Sequence, residues 1–118
     1  MKVSVIVAAA GSGRRMGGVR KPYLMLDGMP VLVRSLKLFM DHPDVIEIVA
    51  VIRPGEEGEV SALLKPYREM ERVKLVPGGA TRQESVREGL QALAEPSDLI
   101  CIHDAARPLA SEALLEAL

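Results

Sequence analysis

Aromatic side chains are nearly missing from this chain: two Tyr, one Phe and no Trp in 118 residues. Surfaces that grip single-stranded nucleic acid stack bases on several rings, so this composition argues against such a role. Cysteine occurs once, as Cys101, which cannot form an internal disulfide and points to a reducing, cytoplasmic setting. Long apolar runs are also lacking. The stretch after Met1-Lys2 is too short for a secretory leader and gives way to glycines and arginines. No window is long enough to span a bilayer, so no membrane partner is expected. Neither sign of charge dominates: 15 basic against 16 acidic residues leave a net charge of −1. That balance disfavours a general attraction to nucleic acid or to an anionic membrane. Any phosphate chemistry has to come from local clusters of cations.

Hydrophobic residues make up 48% of the chain, enough for the core of one domain. Apolar runs alternate with helical periodicity. Val3 to Ala9, Ile46 to Ile52, Val73 to Val76 and Leu99 to His103 read as strands. Helices are expected over Pro30 to Met40, over Glu56 to Arg68 with Val60, Leu63 and Leu64 inward, and from Thr81 to about Ala94. Thr81-Arg82-Gln83-Glu84 matches a capping box, and Ser111 can cap a last helix through Leu114 and Leu115. This alternation predicts a three-layer α/β fold, a mostly parallel sheet covered on both faces. Right-handed crossovers then gather the loops after the strands along one edge. With four strands found and the chain ending inside the expected last helix, residues 1–118 read as the first half of a larger α/β domain.

Three of those loops carry chemistry. The first, Ala8-Ala9-Ala10-Gly11-Ser12-Gly13-Arg14-Arg15-Met16-Gly17 with Lys21-Pro22 after it, joins small residues to cations. Glycines and alanines let backbone approach a ligand, and Arg14, Arg15 and Lys21 supply charge for phosphates. It is not the dinucleotide fingerprint, which needs a third glycine and a helix at once. Nor is it a P-loop, since Val19-Arg20 stands where Gly-Lys-Ser/Thr has to follow. A nucleoside triphosphate cradle of another kind is the reading; a glycine-rich turn with solvated arginines is the alternative.

In the second loop, Gly78-Gly79 precedes a helix N-terminus. Glycines there leave N–H groups free for an acceptor, and Arg82 and Ser85 lie three apart on one helix face. A plain capped helix with a solvated Arg82 fits equally well. The third is His103-Asp104-Ala105-Ala106-Arg107-Pro108, where polarity arrives at the end of a buried strand. Asp104 can hold a Mg²⁺ ion that bridges phosphate oxygens, or pair with Arg107 in a surface salt bridge. His103 reads as ordering neighbouring loops rather than as a base, and Cys101 as core.

Together these loops resemble one family, the 2-C-methyl-D-erythritol 4-phosphate cytidylyltransferases of non-mevalonate isoprenoid biosynthesis. The match rests on Ala9-Ala10-Gly11-Ser12-Gly13-Arg14-Arg15-Met16, Lys21-Pro22-Tyr23, Leu26 to Leu32, Gly78 to Val86 and His103 to Pro108, in order and at this spacing. The resemblance implies a nucleotide-diphospho-sugar transferase (Rossmann-like) fold, incomplete here, with residues 1–118 as the N-terminal, CTP-binding part of a single domain. It implies that the backbone of Ala8, Ala9, Ala10, Gly11 and Gly13, with Gly79, meets the cytidine, and that Ser85 helps read the base. Arg15 and Lys21 would be the catalytic residues, holding the triphosphate and stabilising charge at the α-phosphorus; Asp104 would ligate Mg²⁺, Ala105 would lie near the ribose and Arg82 would organise the second loop.

The chain departs from the family at Pro22, where glutamine is common, and at Ala80, where an acidic residue is often found. Proline removes a backbone donor and restricts Lys21 toward extended geometry. In this family the remaining half supplies a second triphosphate lysine, most methylerythritol phosphate contacts and the arm that forms a homodimer. The implied reaction is CMP transfer from CTP to methylerythritol phosphate. The alternatives are a ribitol phosphate or other sugar-phosphate nucleotidyltransferase, and a non-catalytic nucleotide-binding fragment.

Overall fold

A computed structural model describes residues 1–10, 15–16 and 19–105. Strand β1 (Val3–Ala8) is followed by two short antiparallel hairpins, β2 (Arg15–Met16) with β3 (Val19–Arg20), and β4 (Met25–Leu26) with β5 (Met29–Pro30). A 3-10 turn, Lys21–Tyr23, separates them. Then come α1 (Val31–Met40), β6 (Val45–Ile52), α2 (Glu57–Leu64), a second 3-10 turn (Arg68–Arg72), β7 (Lys74–Pro77), α3 (Arg82–Ala92) and β8 (Leu99–Asp104).

The central sheet has the order β7-β6-β1-β8 and every pairing in it is parallel. Its inner strands are buried on both faces, which is why they read as near-continuous apolar runs. Helices α1 and α2 cover one face, where Val5, Val7, Leu36, Phe39 and Val60 share one core. Helix α3 covers the other, against Ile6, Val49 and Val51. From β1 the chain winds outward to β6 and β7 on the first face, then returns through α3 on the second to add β8. This reversal is what right-handed crossovers require when the strand order turns back past its starting strand. No helix among the described residues is long and apolar enough to cross a membrane.

The expected α/β class and all four strands are present, with differences at their ends. The helix expected over 56–68 stops at Leu64, because Pro66 lacks the N–H and the space to continue it; the chain resumes as the 3-10 turn. The last strand runs one residue further than expected, through Asp104. Neither hairpin is predicted by the apolar periodicity. The second turns at Asp27-Gly28, each with positive φ (52° and 81°), the type I′ geometry that this dipeptide favours. The helix expected after Ser111 lies outside the described residues.

Helix α3 approaches the sheet closely at Gly89. A methyl added there would stand 2.7 Å from Ile6 Cγ2 and 3.0 Å from Val51 Cγ2, whereas one added at Gly58 on α2 would meet nothing within 4 Å. Both glycines are helical, so intrinsic propensity favours alanine at each. Packing reverses the sign at one of them. Gly89→Ala is expected to destabilise by about 1–3 kcal/mol through overpacking, and Gly58→Ala to stabilise by roughly 0.5–1 kcal/mol. Urea unfolding of the two variants checks this; equal shifts of one sign would contradict it.

Candidate functional site

Parallel pairing places the carboxyl ends of four strands on one edge. Ala8 stands opposite both Val51 and Asp104, and Ile52 opposite Pro77. The backbone continues these ladders into the loops. Ala9 N–H donates to the Val51 carbonyl at 2.8 Å, Ala105 N–H to Ala8 at 3.0 Å, and Gly78 N–H to Ile52 at 2.7 Å. Ala8, Ala9, Ala10, Gly79, Asp104 and Ala105 are thus brought to a common rim, where open α/β sheets bind ligands. Arg15 falls on β2, and Lys21 opens the 3-10 turn. Gly11, Gly13 and Arg107 lie outside the described residues.

The second loop packs against the first. A methyl on Gly78 would come within 2.5 Å of Ser85 Oγ and 2.8 Å of Ala10 Cβ, so glycine is what lets the two loops touch. Its donors are not left free, contrary to the expectation for Gly78-Gly79. Gly78 N–H is used by Ile52, Gly79 N–H donates to Ser85 Oγ at 3.1 Å, and Ala80 N–H donates to Glu84 Oε2 at 3.0 Å. Thr81 caps α3 by accepting from Glu84 N–H at 3.1 Å. Glu84 answers one residue earlier than a standard capping box, at Ala80 rather than at the cap itself. Ser85 is therefore buried and turned onto its own loop, while Arg82 is exposed. The two do not share an environment, although they share a helix turn.

At the third loop, α1 holds the end of β8. Buried Ser35 donates through Oγ to the Ala105 carbonyl at 3.1 Å. One turn later Phe39 meets the His103 ring, with centroids 5.2 Å apart and planes tilted by 58°. Burial holds the His103 imidazole below its ordinary value, and the Asp104 charge only partly opposes this. Burial likewise pushes the Cys101 thiol up, away from reactivity. Sequence reading passed over Ser35. Its one signal was a hydroxyl on the apolar stripe Leu32, Leu36 and Phe39.

Among the described residues no group of three His, Cys, Asp or Glu converges as a metal cage. A magnesium ion bridging phosphates needs no cage: it keeps waters and phosphate oxygens and takes one or two carboxylates. The exposed Asp104 carboxylate at the strand end fits that donor set.

Comparison with known proteins gives a family. The family model "IspD: 2-C-methyl-D-erythritol 4-phosphate cytidylyltransferase" matches residues 3–118. The chain is 39% identical over 116 residues to the 2-C-methyl-D-erythritol 4-phosphate cytidylyltransferase of Alkaliphilus metalliredigens, covering 97% of the chain and 48% of that protein. It is 47% identical over 120 residues to the one of Syntrophotalea carbinolica, covering 98% and 51%. Among solved structures, 4-diphosphocytidyl-2C-methyl-D-erythritol synthase from Anaerococcus prevotii superposes with a TM-score of 0.78 at 36% identity, over 98% of this chain and 48% of that one. The chain spans about half the length of the relatives it matches.

The clamp on the end of β8 has a measurable consequence. Ser35→Ala deprives the carbonyl of the fully buried Ala105 of this donor, at an expected cost of about 1–3 kcal/mol. Hydrogen exchange at Ala105 N–H should accelerate more than at the middle of β6. Protection unchanged at Ala105 would show that Ser35 does not hold this turn.

Proposed function

The chain belongs to the 2-C-methyl-D-erythritol 4-phosphate cytidylyltransferase family, and on that premise we propose that it is the CTP-binding part of an enzyme transferring CMP from CTP to 2-C-methyl-D-erythritol 4-phosphate. The observation that carries the reading is the family match across nearly the whole chain. It is supported by the convergence of Ala8 to Ala10, Gly78-Gly79 and Asp104-Ala105 on one sheet edge.

In this reading an oxygen of the acceptor phosphate forms a bond to the α-phosphorus of CTP. The bond from that phosphorus to the bridging oxygen breaks, and pyrophosphate leaves with the electron pair. A phosphate monoester is largely ionised at neutral pH, so no general base is needed. The obstacle is the approach of one anion to another, and the remedy is fixed positive charge. Arg15 and Lys21 take that role at the triphosphate. Backbone of Ala8, Ala9, Ala10, Gly11, Gly13 and Gly79 lines the nucleoside, Ser85 and Arg82 order the second loop beside it, and Ala105 borders the ribose. Because the N–H groups of Gly78, Gly79 and Ala80 are engaged by Ile52, Ser85 and Glu84, these three residues meet the base through their carbonyls and their shape. Asp104 would hold Mg²⁺, which supplies charge neutralisation at the phosphate oxygens when bound. A cytoplasmic setting and a homodimer of the complete enzyme belong to the same reading.

Arg15→Ala in the complete enzyme is expected to lower kcat/KM for CTP-dependent pyrophosphate release roughly a hundredfold, about 3 kcal/mol of transition-state stabilisation. An unchanged value would remove Arg15 from the mechanism. A panel of sugar phosphates run on the wild type separates methylerythritol phosphate from ribitol phosphate as acceptor. No release with any of them would leave nucleotide binding without transfer.

A further inference from the structure

The 3-10 turn Lys21–Tyr23 is three residues long, too short for internal hydrogen bonds to orient it. Its position depends on what its side chains grip. Pro22 and Tyr23 are buried, and the Tyr23 ring belongs to the core beneath the sheet. Its hydroxyl emerges from that core and donates to Glu56 Oε1 at 2.7 Å, joining segments 33 residues apart.

Glu56 is itself well held. Its N–H donates to the Arg53 carbonyl at 3.0 Å and its carbonyl accepts from Val60 N–H at 2.9 Å, at the start of α2. Before it, Gly55 has φ 91°, and its N–H donates to Glu57 Oε1 at 2.7 Å. This turn leaves the carboxyl end of β6, the edge that also carries Ala9, Gly78 and Asp104. A short bond from a buried phenol to a carboxylate is among the stronger kinds.

We propose that Tyr23 and Glu56 are a positioning pair: their hydrogen bond locks the turn bearing Lys21 to the carboxyl edge of the sheet and sets where that cation meets the nucleotide's phosphates. The inference rests on the CTP-binding reading above. Neither side chain needs to touch substrate. The phenol ring supplies the anchorage and the carboxylate supplies the register. Phenylalanine at 23 would keep the first and lose the second.

The test is calorimetric titration of CMP and of CTP into the wild type, Tyr23→Phe, Glu56→Gln and Glu56→Ala, with the Tm of each. Tyr23→Phe and Glu56→Ala should weaken CTP binding by about 5- to 10-fold and CMP binding by clearly less, because the triphosphate sets more negative charge against the Lys21 cation than a single phosphate does. Glu56→Gln keeps an acceptor oxygen and should retain most of the CTP affinity. Unchanged CTP affinity in both Tyr23→Phe and Glu56→Ala overturns the proposal. So does an equal loss for CMP and CTP that tracks Tm, the mark of a merely structural bond. A wild type that binds neither nucleotide defeats the CTP-binding reading itself, and the pairing proposal with it.

Discussion

Everything at the carboxyl edge depends on the pairing of β1 with a parallel neighbour on each side. Its six residues are bonded to β6 and to β8 at once, and most are fully buried. A parallel strand in this position cannot slip without moving both neighbours and reversing which side chains face each helix layer. The register that places Ala8 level with Val51 and Asp104 is therefore held by the core. The loops that carry the chemistry inherit that rigidity. Backbone bonds from Ala9, Gly78 and Ala105 continue it beyond the last strand residues, so the ladder ends only where a ligand would begin.

A second constraint is polar satisfaction. Gly78, Gly79 and Ala80 spend their backbone donors on Ile52, Ser85 and Glu84. With those donors engaged, the turn presents its carbonyls and its shape to whatever lies beside it. In the proposed reading positive charge comes separately, from Arg15 and Lys21 on the short elements after β1. In that reading the apolar framework and the cations belong to different segments, joined where Tyr23 reaches Glu56. Such a division suits a reaction whose barrier is electrostatic, since preorganised charge needs a stiff support.

The described part of the sheet is not equally covered. Ile6 lies under α3, but Ile102, its partner in the register, and Ile100 on the same face of β8 are exposed. Helix α3 lies over β1, β6 and β7 and does not reach β8 to the same extent. Burial therefore grades across the sheet, from nearly complete at β1 and high at β6 to partial at β8.

Strand and helix types, the parallel sheet and the gathering of three loops were all legible in the sequence. Each follows from local period: long apolar runs need cover on both faces, and helices between parallel strands supply it. The motifs from Ala8 to Lys21, Gly78 to Ser85 and His103 to Pro108 also declared the family, because residue type and spacing survive without a structure. What local pattern does not encode is which partner a polar group finds. Ser85 turned inward to Gly79 while Arg82 stayed exposed, although a helical wheel puts them together. Ser35 met Ala105 across 70 residues and Tyr23 met Glu56 across 33. Such pairings depend on how α1 and the turn after β6 sit against the sheet, and packing alone decides that. The sequence by itself determined the framework and the chemistry available to it; the tertiary structure decided which partners its polar groups find, Ile52, Ser85 and Glu84 for the donors of Gly78 to Ala80 and Glu56 for the Tyr23 hydroxyl.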